Sequence, residues 1–255
     1  SVGESVNQPI EYYENNILGL TNLLSVMYHH GTRQLVFSSS CTVYGSPEIL
    51  PVTEDSPIGH TPAPYGASKQ MCERIIEDFT ASKSNFKATS LRYFNPIGAH
   101  ESGVIGELPT GVPNNLMPYI TQTAAGLREE LSVFGDDYDT PDGTAIRDYI
   151  HVCDLASAHV SAVSHLEKSD SYEHIKINVG TGNGYSVLEV IQSFERSTGQ
   201  KLNYKIAPRR EGDIESIYAQ LDLSKKLLDW EATHTIDDMT RSAWEWEKKL
   251  RGINK

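Results

Sequence analysis

Apolar side chains along the N-terminal part of the chain alternate between helical spacing and short continuous runs. They recur every three or four positions over residues 11–30, which predicts a helix that stops near Gly31. The segments Arg33–Ser40 and Phe86–Phe94 have the pattern of buried strands, and residues 64–82 between them have helical spacing. Strands that alternate with helices in this way predict an α/β fold with a doubly wound parallel sheet.

The pattern is less regular after residue 96. Residues 98–115 are rich in glycine and precede a predicted helix at Met117–Glu130 and a short strand at Leu131–Phe134. A strand-like segment returns at 147–152, and Asp154 is predicted to cap the helix that follows. Because irregular insertions between ordered elements often shape binding sites, we expect this part of the chain to form one.

Hydroxyl and amine side chains follow the first predicted strand and open the next predicted helix. Ser38–Ser40 ends that strand, and ligands of parallel α/β sheets bind outside the carboxyl ends of the strands. Tyr65 and Lys69 are four residues apart and therefore share one helix face. A serine hydroxyl, a phenol and an ammonium can together move a proton on and off a sugar hydroxyl, so we predict catalytic roles for Ser40, Tyr65 and Lys69.

The predicted role of Lys69 is electrostatic. A free tyrosine has a pKa of about 10, too high for a base at neutral pH, and a nearby ammonium lowers that pKa. Tyr172 and Lys176 have the same spacing, but they run into a segment that alternates like a strand. Residues four apart on a strand lie about 13 Å from each other, so we interpret the second pair as structural.

Composition narrows the class of protein. The 255 residues are 38% hydrophobic, which indicates a packed globular chain, and the net charge of −12 argues against binding to nucleic acid or an anionic membrane. No apolar run has the length of a membrane span and no signal peptide opens the sequence, so we expect a cytoplasmic protein. The spacing of the three cysteines and nine histidines predicts neither a disulfide framework nor a metal site.

Longer motifs carry a resemblance to a known family. The serine strand end, the Tyr65–Lys69 helix and Arg92–Pro96 resemble the extended short-chain dehydrogenase/reductases, and more narrowly the UDP-glucose (UDP-galactose) 4-epimerases. Further matching stretches are Glu11–Asn16, Pro113–Tyr119, Arg147–Val152 and Pro208–Asp213. The resemblance spans nearly the whole chain, and these motifs are much more specific than the tyrosine–lysine pair.

The resemblance implies a reaction, a cofactor and partners. In these epimerases a tightly bound NAD takes hydride from the sugar C4 and returns it to the other face, which interconverts UDP-glucose and UDP-galactose in galactose metabolism. The subunits pair through helices that match residues 11–30 and 64–82. NAD as cofactor, UDP-glucose and UDP-galactose as substrates, and a homodimer are therefore expected for the complete protein.

The resemblance also implies roles for individual residues. Tyr65 matches the catalytic base, Lys69 its partner and Ser40 the third hydroxyl. The implied cofactor contacts are Asn15, Ser38, Ser40, Tyr65, Lys69, Tyr93 and Phe94. The implied UDP-sugar contacts are Ser40, Tyr65, Asn95, Asn115, Leu116, Phe134, Arg147, Arg210 and Asp213. Ile217 occupies a gate position in the sugar pocket, which leaves the acceptance of N-acetylated sugars open.

The matching family also implies the domain organisation. Residues 1–96 and 145–182 are expected to form the remainder of a partial Rossmann-type NAD-binding domain, and residues 97–144 and 183–255 a UDP-sugar-binding domain. No G-x-x-G-x-x-G dinucleotide loop is present, and the Gly180–Gly184 loop has the wrong spacing, so we interpret that loop as structural. We therefore expect an N-terminally truncated chain that is inactive alone and does not retain NAD.

Two alternatives remain at this point. Nucleotide-sugar dehydratases have a similar fold, but they need a pair of acidic residues beside the serine or threonine at the strand end. In this chain the corresponding segment, Cys41–Val43, contains no carboxylate. A chain that uses the scaffold only for association is the other alternative. A measurement of bound NAD distinguishes such a non-catalytic chain from an enzyme.

Overall fold

The computed structural model describes residues 2–210 and 212–253, which fold into two compact units. The first unit contains the chain up to Tyr93 together with Ser157–Val179 and Ala219–Glu231. The second contains Phe94–Ala156, Gly180–Tyr218 and the chain from Ala232 onward. The predicted α/β class with parallel sheets is confirmed.

Helices and strands alternate along most of the chain. In chain order they are α1 (Val2–Asn7), α2 (Pro9–Tyr13), a π-helical turn (Glu14–Leu18), α3 (Gly19–His29), β1 (Gln34–Ser38), a 3₁₀ turn (Cys41–Tyr44), α4 (Pro64–Ser82), β2 (Lys87–Tyr93), β3 (Asn95–Ile97), α5 (Leu116–Ala124), β4 (Leu131–Phe134), β5 (Ile146–His151), α6 (Val152–Lys168), β6 (His174–Val179), β7 (Gly184–Ser186), α7 (Val187–Thr198), β8 (Tyr204–Ala207), β9 (Ser216–Ile217), α8 (Asp222–Leu228) and α9 (Ile236–Arg251). Within the described ranges, none of these helices combines the length and the apolar character that a membrane span requires.

The first unit is built on a parallel sheet in the order β1-β2-β6. Side chains of α3, α4 and β2 form the core on one side of the sheet, and Leu24, Ile76 and Phe86 are its largest fully buried members. Both predicted strands of this unit are present. The predicted helix over residues 11–30 is present but is interrupted by the π-helical turn.

The second unit has smaller sheets around its own core. β5 lies between β3 and two short partners, β7 antiparallel and β9 parallel, and β4 pairs with β8 in parallel. α5, α7 and α9 cover these strands, and Ile120, Val133, Phe194 and Met239 are buried between them. Ser186 and Glu189 form the predicted capping box at the start of α7.

Some local predictions differ from the structure. α5 ends at Ala124 instead of reaching Glu130, because Gly126 turns the chain with φ of 74°. Asp154 does not cap α6, which starts two residues earlier; its carboxylate instead accepts the backbone N–H groups of Thr233 and His234.

The division into units also falls differently from the predicted domain ranges, by three residues at 94–96 and 180–182 and over two longer segments. Residues 145–156 belong to the second unit because β5 pairs with β3, β7 and β9 there. Residues 219–231 belong to the first unit, where Ala219 bridges to Val52 and the Gln220 N–H donates to the Val52 carbonyl.

Candidate functional site

The structure brings Ser40, Tyr65 and Lys69 together at the carboxyl end of β1. α4 begins at Pro64, whose fixed φ suits the first turn of a helix, and Tyr65 follows directly. One turn later, the Lys69 ammonium donates a hydrogen bond of 2.8 Å to the Ser38 carbonyl. Lys69 Nζ lies 5.7 Å from the centre of the Tyr65 ring, so the predicted pair shares one helix face.

Ser40 is fixed by its place at the start of the 3₁₀ turn. It is 6% exposed, and its Oγ accepts hydrogen bonds from Thr42 N at 3.2 Å and Thr42 Oγ1 at 3.0 Å. The Ser40 hydroxyl is also close enough to the Tyr65 phenol to lower the pKa of that phenol. Gly66 permits this approach of α4, because a Cβ there would lie 2.9 Å from the Thr61 side chain.

Burial dominates the electrostatics of Tyr65. It raises the pKa of Tyr65 well above its usual value, the nearby Tyr93 adds to the rise, and the Ser40 hydroxyl opposes it. Burial also lowers the pKa of Lys69, whose ammonium donates to the Ser38 carbonyl. The lowering of the Tyr65 pKa by Lys69 stays a prediction.

Most of the residues predicted to bind the cofactor lie around this strand end. Asn15 and Lys69 line a recess of about 210 Å³ together with Phe37 and the helix residues Asn16 and Leu20. This recess offers an amide and an ammonium above an apolar wall.

Ser38 and Tyr93 both lie next to His159, which was not predicted as a functional residue. The Ser38 hydroxyl pairs with His159 Nε2 at 2.9 Å, and the rings of Tyr93 and His159 lie 6.4 Å apart. His159 had no recognisable signal in the sequence, because its place beside β1 follows only from how α6 packs. Phe94, the last predicted cofactor contact, is 2% exposed and opens the second unit.

Four of the predicted UDP-sugar residues cluster in the second unit. Arg147 on β5 forms an ion pair of 2.5 Å with Asp213, and both side chains are mostly buried. The Arg210 guanidinium lies 4.5 Å from the centre of the Phe134 ring and 3.9 Å from Asp213. The neighbouring Arg209 instead pairs with Asp137 at 2.6 Å and lies over Tyr138, as expected for a surface arginine.

Besides Ser40 and Tyr65 of the first unit, three further predicted UDP-sugar residues stand at element ends in the second unit. Asn115 and Leu116 open α5, and Asn115 Nδ2 donates 2.9 Å to the carboxylate of Glu107, whose pKa is raised by burial. Asn95 starts β3 and pairs in register with Tyr149 of β5. Glu107 was not identified from the sequence.

The Gly180–Gly184 loop wraps a carboxylate of its own unit. Asp148 accepts hydrogen bonds from the Thr181 and Gly182 N–H groups at 2.8 and 3.0 Å. A Cβ on Gly180 would lie 2.4 Å from an Asp148 oxygen, so glycine is needed for this close approach. Because these N–H groups already have an anionic partner, the geometry favours the structural interpretation of the loop.

Comparison with known proteins agrees with these motifs. Residues 1–180 match the model of the family described as NAD dependent epimerase/dehydratase. The chain belongs to the NAD dependent epimerase/dehydratase family. Its resemblance to the extended short-chain dehydrogenase/reductases is thereby confirmed.

Individual relatives narrow the similarity. The chain is 49% identical to the UDP-glucose 4-epimerase of Erwinia amylovora over 98% of its own length and 73% of that protein, and 50% identical to the bovine enzyme. The crystal structure of UDP-glucose 4-epimerase from Bifidobacterium longum in complex with NAD⁺ and UDP matches with a TM-score of 0.93 at 50% identity, over 98% of this chain and 74% of that one. The Stenotrophomonas maltophila enzyme with bound NAD and formylated UDP-arabinopyranose matches with a TM-score of 0.95 at 48% identity, over 99% of this chain and 74% of that one.

Proposed function

We propose that the protein is an isomerase that interconverts UDP-glucose and UDP-galactose at the sugar C4, with NAD as its cofactor. The observation that carries the proposal is the grouping of Ser40, Tyr65 and Lys69 at the end of β1, in a chain about half identical to UDP-glucose 4-epimerases. The related enzyme of Bifidobacterium longum carries NAD⁺ and UDP in its crystal structure.

Tyr65 acts as the base and acid of the reaction. Its phenolate takes the proton of the sugar 4-hydroxyl, and the resulting phenol returns a proton to the 4-keto oxygen once the keto sugar has turned over. Ser40 holds the reacting sugar oxygen through the hydroxyl that also contacts Tyr65. A bound NAD would supply the acceptor and donor of the C4 hydride, and a positive charge in the pocket that favours the phenolate form of Tyr65.

The residues present fit this cofactor at its nicotinamide end. The recess beside Lys69 offers N–H donors from the ammonium and from Asn15, which suit the hydroxyls of a ribose. Phe37 supplies an apolar wall, and the Lys69 ammonium lies 4.9 Å from its ring centre. Lys69 thus holds the cofactor and keeps positive charge close to Tyr65.

The cluster of the second unit suits the nucleotide of the substrate. Arg147 and Arg210 can grip a diphosphate through charge-assisted hydrogen bonds, and Phe134 offers a flat apolar face. Asp213 holds both arginines before the ligand arrives. A chain with net charge −12 needs such a local cationic site to bind an anionic substrate.

We further propose a homodimer formed through α3 and α4. Leu23 and Val26 of α3 are 48% and 57% exposed, and Met71 of α4 is 46% exposed, although all three are large and apolar. A groove of about 390 Å³ beside them is lined by Leu24, Tyr28, Ile75 and Phe79 among others. Two copies of this surface can bury each other around a two-fold axis.

The proposed substrates suggest a role in galactose metabolism, and we propose that the protein works in the cytoplasm. Cys41, Cys72 and Cys153 are free thiols, as is usual where thiols are kept reduced. Fractionation of the source cells tests the location: recovery of the protein outside the soluble fraction would contradict it.

The experiment that tests the function is product identification. The full-length gene product is incubated with NAD and UDP-galactose, and the nucleotide sugars are separated by chromatography. We expect UDP-glucose to form until both sugars reach equilibrium. A 4-keto-6-deoxy product would instead indicate a dehydratase, and unchanged UDP-galactose with no bound NAD would indicate a non-catalytic scaffold.

A further inference from the structure

A buried ion pair lies beside the catalytic residues of the first unit. Glu73 of α4 and Arg92 of β2 form two hydrogen bonds, of 3.0 Å from Nε and 2.7 Å from the second guanidinium nitrogen. Their side chains are only 5% and 2% exposed. The Ser39 hydroxyl, which is 0% exposed, donates a third hydrogen bond of 2.5 Å to the same carboxylate.

The pair continues into a network that reaches the neighbouring strand β6. Arg92 donates to the Tyr44 hydroxyl at 3.1 Å, and that hydroxyl donates to Asn178 Oδ1 at 2.6 Å. Tyr44 belongs to the 3₁₀ turn that Ser40 starts. The network therefore ties α4, β2 and β6 to the segment that carries Ser40.

Three successive turns of α4 meet three successive residues at the end of β1. Lys69 donates to the carbonyl of Ser38, Glu73 accepts from the hydroxyl of Ser39, and the Tyr65 phenol lies near Ser40, whose hydroxyl lowers its pKa. Residues 65, 69 and 73 are spaced by four and lie along one helix face. Of these three residues of α4, Glu73 also forms a buried ion pair, with Arg92 on β2.

We propose that Glu73, Arg92 and Ser39 are positioning residues, which fix the register of α4 against the end of β1 and thereby hold the Tyr65 phenol against Ser40. The inference rests on the proposed function, since it assigns a role within that catalytic site. None of the three residues needs to contact substrate or cofactor for this role.

The surroundings of Glu73 favour its ionised form. Burial raises the pKa of Glu73, but the hydrogen bonds and charge of Arg92 and the bond from Ser39 outweigh it, so the pKa lies below its usual range. Both groups therefore stay ionised across the working pH range. A buried ion pair is weak evidence for stability, because apolar residues of similar volume often stabilise a core as well, so a role in specifying geometry is the better account here.

The test compares two buried serines with the same kind of partner. Ser39 donates to Glu73, which pairs with Arg92; in the second unit Ser193 donates to Asp237 at 2.6 Å, which pairs with Arg196. Both serines are 0% exposed. S39A and S193A therefore each remove a buried hydroxyl that donates to an ion-paired carboxylate. The ion pair beside Ser39 is buried and lies near Tyr65, whereas the one beside Ser193 is largely exposed and lies in the other unit.

For S39A in the full-length gene product we expect kcat to fall about 10- to 100-fold, because a misplacement of about 1 Å can cost about 10² in rate. The KM for UDP-galactose should stay within about twofold, and S193A should leave both constants unchanged. S39C, whose thiol is a weak donor, should recover part of the rate.

The pH profile gives a readout that a loss of stability would not move. Tyr93, Cys41 and Tyr12 face Tyr65 and raise its pKa, Lys69 lies on the same helix face, and the Ser40 bond lowers it. A looser Ser40 contact raises the pKa of Tyr65, so the acid limb of the kcat profile should shift to higher pH in S39A only. Equal kcat and an unshifted profile in S39A would overturn the proposal.

Hydrogen exchange separates this inference from the proposed function. In S39A, amides of residues 38–44 and 64–70 should exchange faster than in the wild type, whereas S193A should leave them unchanged. This readout needs no activity, so it tests the positioning role even if the wild type does not epimerise UDP-galactose. Unchanged exchange in both segments would contradict the role of Ser39 and Glu73.

Discussion

Two adjacent arginines differ in their partners and should differ in their effect on ligand binding. Arg210 lies over Phe134 beside Asp213, whereas Arg209 pairs with the exposed Asp137. R210A should weaken UDP binding about 10- to 100-fold, since hydrogen bonds to charged groups contribute about 1.5–3 kcal/mol. Isothermal titration with UDP measures this, with R209A as the matched control that should keep the wild-type affinity.

If R209A weakened UDP binding more than R210A, the diphosphate would bind to Arg209, and the assignment of the cluster would be wrong. Equal, near-normal affinities would mean that neither arginine binds the nucleotide. Salt offers a further check, because the R210A difference should shrink as ionic strength screens the exposed guanidinium.

The sequence could predict the residues that form local patterns but not those that need a tertiary contact. Tyr65 and Lys69 were identifiable from helical spacing, and Ser40 from its place after an apolar strand. Glu73 shares their helix face, but its importance follows from Arg92, which is 19 residues away in the chain. The rise in the pKa of Tyr65 by burial was not predictable, because burial depends on packing that spacing alone does not reveal.

At the scale of whole elements, α3 and α4 present apolar side chains that the described unit leaves exposed. V26E should convert the dimer of the full-length gene product to a monomer, because a buried carboxylate without a partner is costly in an apolar interface. Light scattering at micromolar concentration measures the mass. I49E replaces a loop side chain that is 79% exposed and serves as the control that should remain dimeric.

A monomeric wild type would contradict the proposed assembly outright. A dimeric V26E protein would show that the interface lies on another surface. A loss of folding in V26E can be recognised from its thermal transition, and L23E on the same exposed surface then gives a second variant.

The elements themselves were predictable where periodicity was strong. α4 spans the predicted residues 64–82, and β1, β2 and β4 lie within one to two residues of their predicted bounds. The π-helical turn in the first predicted helix was not predictable, because it depends on local backbone hydrogen bonding. The early end of α5 was not predictable either, because it depends on the positive φ at Gly126. In loop 180–184, a glycine-rich pattern places a backbone N–H group to bind the carboxylate of Asp148, a residue of the protein itself.

For the whole molecule, the predicted domain ranges differ from the two compact units mainly at residues 145–156 and 219–231. Residues 219–231 join the first unit through tertiary contacts, among them the bridge between Ala219 and Val52 and the hydrogen bond from Trp230 Nε1 to the Ser157 hydroxyl. The placement of β5 in the second unit likewise depends on short strands that have no strong periodic signal. The chain spans about three quarters of the length of its relatives, and the family motifs extend through both units.

The central claim is that Tyr65 performs the proton transfer of a 4-epimerase. The most direct measurement is the rate at which the full-length gene product converts UDP-galactose to UDP-glucose, compared between the wild type, Y65F and Y172F. Tyr172 precedes Lys176 at the same spacing but is 54% exposed, so Y172F is the matched control.

We expect Y65F to lower kcat by about 10² to 10⁴, because it removes the hydroxyl that carries the proton and keeps the ring, whereas Y172F should retain the wild-type rate. Near-normal turnover of Y65F, or an equal loss in both variants, would contradict the assignment of Tyr65 as the catalytic base.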